Sequence, residues 1–122
     1  MLRSSSPIRS YKDLTMWQKA KAFAVHLYGA TEKFPEEERY GLTSQLRRAG
    51  VSIASNIAEG FRRKFPKEKI QFLRIAYGSG AEIETQLEIA KDLKYIDTSL
   101  CETLESELGE VLKMINVVLN KL

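Results

Sequence analysis

Residues 42–60 limit what this chain can fold into more than any other stretch. At about 100° per residue, Leu42, Leu46, Ala49, Ile53 and Ile57 share one face of a helix. Val51, Ala54 and Ala58 make a second, small-residue face with Arg47 at its edge. Between them runs a polar ridge of Gln45, Arg48, Ser52, Ser55, Asn56 and Glu59. A helix with two faces of low polarity needs two surfaces to pack against. One is the core of its own domain. For the other the pattern predicts a second subunit.

Three more helices surround this one. Leu14, Trp17, Ala20, Ala24, Leu27, Tyr28 and Thr31 recur at helical spacing behind Ser10 or Asp13 as cap. Phe23 widens that stripe, and Trp17, Phe23 and Tyr28 read as core. Phe34-Pro35 ends the helix, because the residue before a proline avoids the helical region. Glu36, Glu37 and Glu38 then suit the first turn of a short element leading into the second helix. Gly60 reads as a left-handed stop for that helix. Phe61 to Pro66 is the loop. The third helix, to Tyr95, carries Phe72, Leu73, Ala76, Gly80, Ile83, Leu87 and Ala90 as its stripe. Gly78 and Gly80 each cost about 1 kcal/mol relative to alanine in a helix, so tight packing is expected to compensate. Asp97 or Thr98 caps a fourth helix with Leu100, Leu104, Leu108, Val111, Ile115, Val118 and Leu122 in a three-and-four repeat. With no strand alternation and short connections, the reading is all-α: an antiparallel up-down-up-down four-helix bundle over residues 11–122. Residues 1–10 read as a flexible, basic, Ser-rich tail.

Composition narrows the function classes. No apolar run approaches the roughly 20 residues that span a bilayer. The N-terminus has no leader-like apolar core, and Cys101 is the only cysteine, so a cytoplasmic protein without membrane contact is expected. Charge is unevenly spread. Residues 1–75 hold 15 Lys/Arg against 7 Asp/Glu, and residues 76–122 hold 4 against 9. A basic half serves either complementarity within the fold or a polyanion.

Catalytic and metal chemistry finds little support. A di-iron bundle needs Glu-x-x-His pairs on facing helices, and His26 is the only histidine. Cys101 stands in no spaced ligand motif. Gly78 and Gly80 lie mid-helix, with no following Lys-Ser/Thr of a phosphate loop. No nucleophile–base pair is evident. The expectation is a protein that is not an enzyme and takes no cofactor and no metal.

The basic residues carry the functional reading. Arg47, Arg48, Arg62, Arg63, Lys64, Lys67 and Lys69 are the candidate nucleic-acid contacts, with Arg74 nearby. Guanidinium groups grip phosphates bidentately and lysine acts as a point charge. Phe61 and Phe65 flank the Arg62-Arg63-Lys64 run and offer stacking faces for unpaired bases; folded into the bundle end, they would leave only a solvated loop. Gln45, Val51, Ser52, Ala54, Asn56, Ala58, Glu59, Tyr77 and Glu82 are the candidate subunit interface or polar network. The ridge is either a ligand site or, as preferred, hydrogen bonding that fixes register. Arg47 or Arg48 is expected to pair with Glu59, Glu82 or Glu84.

The same residues resemble a bacterial four-helix-bundle family encoded in intervening sequences of 23S ribosomal RNA genes. The resemblance rests on Trp17 to Ala20, Phe34-Pro35, Tyr40 to Gln45, Arg47 to Ala49, Ser52-Ile53, Ser55 to Gly60, Phe72-Leu73, and Ala76 to Ser79 with Glu82 and Glu84. Ala54 stands where proline is common in that family, and Gly80 where a larger apolar residue is. The resemblance implies an antiparallel bundle that assembles as a ring, a homopentamer. It also implies similarity to the accessory variability proteins of diversity-generating retroelements, basic barrels that bind nucleic acid and a reverse transcriptase. The resulting expectation is a ring-forming bundle that binds RNA or DNA through clustered Arg and Lys. The alternative is a scaffold or adaptor for a protein partner such as a reverse transcriptase, with no nucleic-acid role of its own.

Overall fold

The computed structural model describes residues 7–122; most of the expected tail, residues 1–6, lies outside them. Ser10 opens a 3₁₀ turn, Tyr11–Asp13, through a capping box. Its hydroxyl accepts from the Lys12 N–H at 3.1 Å, and Asp13 Oδ2 accepts from the Ser10 N–H at 3.2 Å. Leu14 is extended and separates this turn from α1, Thr15–Ala30. The expected first helix is thus two pieces. It also stops short of Phe34, because the Thr31 hydroxyl turns back onto the Leu27 and Tyr28 carbonyls at 2.9 and 3.1 Å.

After Pro35 the three glutamates form a second 3₁₀ turn, Glu36–Glu38. Glu38 accepts from the Leu42 N–H at 3.0 Å and so helps to start α2, Leu42–Arg62. Its other oxygen accepts from the Tyr95 hydroxyl at 3.0 Å. That hydrogen bond, followed by burial, holds Tyr95 above the usual tyrosine range. With Ala54 in place of proline, α2 is continuous.

Gly60 does not end α2. The helix passes through it to Arg62, and no glycine among the described residues has a positive φ. A Cβ at Gly60 would lie 3.2 Å from Phe72 Cβ and 3.5 Å from the Lys69 carbonyl oxygen. Its missing side chain serves a close helix crossing, not a turn. Pro66 begins α3, Pro66–Asp92, at a position where its absent N–H costs nothing. The helix ends three residues before the expected Tyr95. Lys94 adopts φ 64°, and the Tyr95 N–H reaches back to the Ala90 carbonyl at 2.9 Å. Asp97 caps α4, Thr98–Lys121, accepting from the Leu100 N–H at 2.7 Å.

Each helix packs on two neighbours: α1 on α2 and α4, and α3 on α2 and α4. Leu14 and Met16 near the start of α1, Ile57 and Phe61 near the end of α2, Leu73 of α3 and Val118 of α4 line one small cavity. Neighbouring helices therefore alternate in direction, giving the up-down-up-down bundle. All five residues of the α2 core face are buried or half-buried, as are Leu104, Leu108, Val111 and Ile115 of α4. Gly80 lets α3 approach α4, since a Cβ there would fall 2.5–3.0 Å from Leu112. Gly78 has open space around it, so the packing expected to offset its cost is not supplied within the chain. On α1 only Phe23 of the three aromatics is buried; Trp17 is half-buried and Tyr28 exposed. Among the described residues no helix is long and apolar enough to cross a membrane.

Candidate nucleic-acid interface

The turn from α2 into α3 gathers cations at one end of the bundle. Arg62, Arg63, Lys64 and Lys67 are all exposed. Rings position three of them. Arg63 sits 4.6 Å from the Phe72 centroid, Arg62 5.4 Å from Tyr11 and Lys64 5.8 Å from Phe65. Phe65 is itself 57% exposed. Among the described residues none of these cations has a carboxylate within 4.0 Å; the ion pairs there are Lys19–Glu110, His26–Glu107, Arg39–Glu36 and Lys91–Glu88. Lys69 is differently employed. Its ammonium donates to the Phe61 and Gly60 carbonyls at 3.0 and 3.4 Å, closing the end of α2. Arg74 lies further along α3, beside Lys67, Ile70 and Ile75 on a shallow outer groove.

Arg47 and Arg48 do not join this end. Fifteen helical residues put them about 20 Å along the axis from Arg62. Arg47 donates to Thr31 Oγ1 at 2.9 Å and to the Tyr28 carbonyl at 3.1 Å, its guanidinium 4.5 Å from the Tyr28 ring. It fastens α2 to the end of α1. Arg48 lies on the opposite flank of α2, in a groove shared with α3. The expected pairing of either arginine with Glu59, Glu82 or Glu84 does not form. Arg47 finds acceptors at the end of α1, and Arg48 has no carboxylate within 4.0 Å among the described residues.

Gln45 and Ser52 of the polar ridge bond to α3, whereas Ser55 lines the groove on the α1 side. Asn56 donates to the Ser52 hydroxyl and carbonyl at 3.0 and 2.8 Å, and Ser79 donates to the same hydroxyl at 3.0 Å. Gln86 donates to Gln45 Oε1 at 3.1 Å. Ser79 and Gln86 escaped the sequence reading. The signal for them was a seven-residue spacing that places both beside the Ala76, Ile83 and Ala90 stripe. Gln86 Oε1 is buried and has no partner. Glu59 is exposed, and Tyr77 is 43% exposed on the outside of α3.

The other flank of α2 is apolar. Val51, Ala54 and Ala58 line a groove of about 580 Å³ with Trp17, Val25 and Tyr28. Val25 is 66% exposed and Val51 43%. The second face of α2 is thus half-covered by its own α1.

Two further clusters lie on the flanks of α4. His26 Nδ1 is 2.8 Å from Glu107 Oε1. Ligand atoms of Glu88, Cys101 and Glu105 fall within 4.8 Å of one another, although Cys101 is a buried core residue and stands in no spaced motif with a cysteine or histidine. The sequence hides this, because Glu88 is on α3 and the other two on α4. A hydrogen bond to Glu105, then one to Lys91, holds Glu88 below the usual carboxylate range. Burial, then the bond to Glu88, pushes Glu105 up, and burial pushes the Cys101 thiol up. The Lys91 ammonium, 3.0 Å from Glu88, supplies the positive charge this cluster calls for.

The geometry defines an all-α four-helix bundle whose candidate surfaces are side-chain patches on helix flanks and at one end. The chain belongs to the 23S rRNA-intervening sequence protein family, whose model matches residues 12–117. Among solved structures it is similar to a protein of unknown function from the S23 ribosomal protein family of Bacteroides thetaiotaomicron VPI-5482. The two are 25% identical, with 86% of this chain and 98% of that chain covered and a TM-score of 0.78. No curated protein matches the chain.

Proposed function

We propose that this chain is a non-catalytic, cytoplasmic, self-assembling bundle whose basic end binds nucleic acid, mainly through phosphates. The observation that carries the reading is the gathering of Arg62, Arg63, Lys64 and Lys67 at one end without a carboxylate partner among the described residues. Cations left unpaired and held over rings are already oriented for an incoming phosphate. Exposed Phe65 adds a face on which an unpaired base can stack. Arg48 and Lys69 are secondary contacts in this reading, and Arg47 is structural. RNA is the first polymer to test, since the family takes its name from 23S rRNA intervening sequences.

Self-assembly draws support from the open apolar flank of α2 and from the ring implied by the family resemblance. A pentamer repeats the basic end five times, so a modest patch gains affinity by multivalency. The same apolar groove favours a second reading, in which the bundle is a scaffold for a protein partner. Titration of a fluorescent 23S rRNA fragment across a salt series tests the first reading. Binding should weaken with a log–log slope of about −0.7 to −0.9 per neutralised phosphate. Replacing Arg62, Arg63 and Lys64 together by alanine should flatten that slope. No binding at low salt would remove the nucleic-acid role and leave the scaffold.

A further inference from the structure

We propose that copies of this chain pair head to tail, the outer flank of α3 on one copy seated in the α1–α2 groove of the next. The proposal rests on the self-assembly reading above and names the surface that meets the groove. Ile75, Gly78, Glu82 and Ile89 follow one another at three, four and seven residues, so they share one side of α3. All four are exposed, and exposed Leu93 continues the line just past the helix end. Ile75 and Ile89 are apolar side chains left 47% and 45% open. A Cβ placed on Gly78 would meet nothing within 4 Å. Glycine inside a long helix costs stability relative to alanine, and no contact within the chain recovers that cost. A surface that comes close to the backbone from outside does.

The groove has the opposite form and the opposite charge. Its lining is mostly apolar and includes no carboxylate. Three cations stand over its rings: Lys21 5.4 Å from the Trp17 centroid, Arg47 4.5 Å from Tyr28 and Arg62 5.4 Å from Tyr11. Residues 76–92 of α3 instead hold four carboxylates, Glu82, Glu84, Glu88 and Asp92, against Lys91 alone, which is paired with Glu88. Opposed potentials favour groove on flank and oppose groove on groove, where cations would meet cations. The register follows from the fold. Within a chain Ser79 is level with Ser52, and Gln86 with Gln45. A second copy standing alongside in the same orientation presents its α3 at the same heights. The second copy's Gly78 then meets Val51 and Ala54, its Ile75 meets Ser55 and Ala58, and its Glu82 comes level with Arg47. The groove belongs to α1 and α2 and the stripe to α3, so each copy uses both faces at once and the contact repeats.

Cysteine cross-linking tests the pairing, with the unsubstituted chain as control because its Cys101 is buried. Chains carrying Ser55→Cys or Ile75→Cys, both at exposed positions, are oxidised singly and after coexpression. The coexpressed pair should give a disulfide-linked dimer, and each variant alone should give none. A dimer from Ser55→Cys alone would mean groove on groove, and one from Ile75→Cys alone flank on flank; either overturns the pairing. No dimer at all, from a protein that light scattering still reports as an oligomer, overturns it too. A monomeric mass for the unsubstituted chain would instead remove the self-assembly reading itself, so the two failures are told apart. Gly78→Leu supplies a second measurement. The new side chain meets open space within its own chain, so helicity by circular dichroism should hold while the mass falls to one 13.9 kDa chain. A retained oligomer would overturn the seating of α3. Glu82→Lys should raise the concentration for half-dissociation about tenfold at low salt, and less as salt rises. No change at low salt would overturn the charge match on which the pairing rests.

Discussion

The two flanks of α2 are built from neighbouring residues of one helix, yet they are solved in opposite ways. Toward α3 the helix offers Ser52, Asn56 and Gln45, and α3 answers with Ser79 and Gln86. Gly60 lets the backbones close in behind them. Toward α1 it offers Val51, Ala54 and Ala58, and the answer is incomplete, leaving Val25, Tyr28 and Val51 exposed around a groove. Hydrogen bonds and close approach make the first flank an interior seam of this chain. The second retains apolar surface whose burial is worth about 25 cal/mol per Å² to whatever covers it.

This contrast can be broken at several points. The largest effect belongs to the seam. Gly60→Val drives side-chain atoms into Phe72 and the Lys69 carbonyl, and thermal or urea unfolding should show a loss of about 2–3 kcal/mol. Ser52→Ala takes the shared acceptor from Asn56 and from buried Ser79, and should cost about 1 kcal/mol by the same measurement. A smaller effect is expected at the head of α2, where Tyr95 donates to Glu38. Tyr95 titrates above its ordinary value when folded. Its contribution to stability is therefore whole below the ordinary tyrosine range and is lost as pH rises through the raised value. Tyr95→Phe should remove that alkaline decline from a plot of melting temperature against pH. The smallest effect on stability is expected at the open flank. Val51→Lys should shift stability by no more than about 0.5 kcal/mol while dissociating the proposed assembly, as read by light scattering. An unchanged mass would mean that the apolar flank is not the subunit contact.

The fold was legible where it depends on local periodicity. The buried face of α2, the leucine seam of α4 and the Asp97 cap all follow from spacing within one helix. What escaped depends on how helices rotate and slide against one another. Gly60 has the sequence look of a helix stop, and only the approach of Phe72 shows its purpose. Trp17 and Tyr28 lie on the α1 stripe but at the margin that the groove leaves open. Arg47 and Arg48 are adjacent in sequence, yet 100° of helical rotation sends one to α1 and the other to α3. The basic run Arg62 to Lys64 was legible as a run; that it lacks carboxylate partners among the described residues was not.

The most direct test of the whole account is the light-scattering mass of the protein, alone and with a 23S rRNA fragment, at low and high salt. The account requires a multiple of the 13.9 kDa chain, with five copies implied by the family resemblance. That oligomer should take up RNA at low salt and release it at high salt without falling apart. A monomer indifferent to RNA at every salt concentration would contradict it.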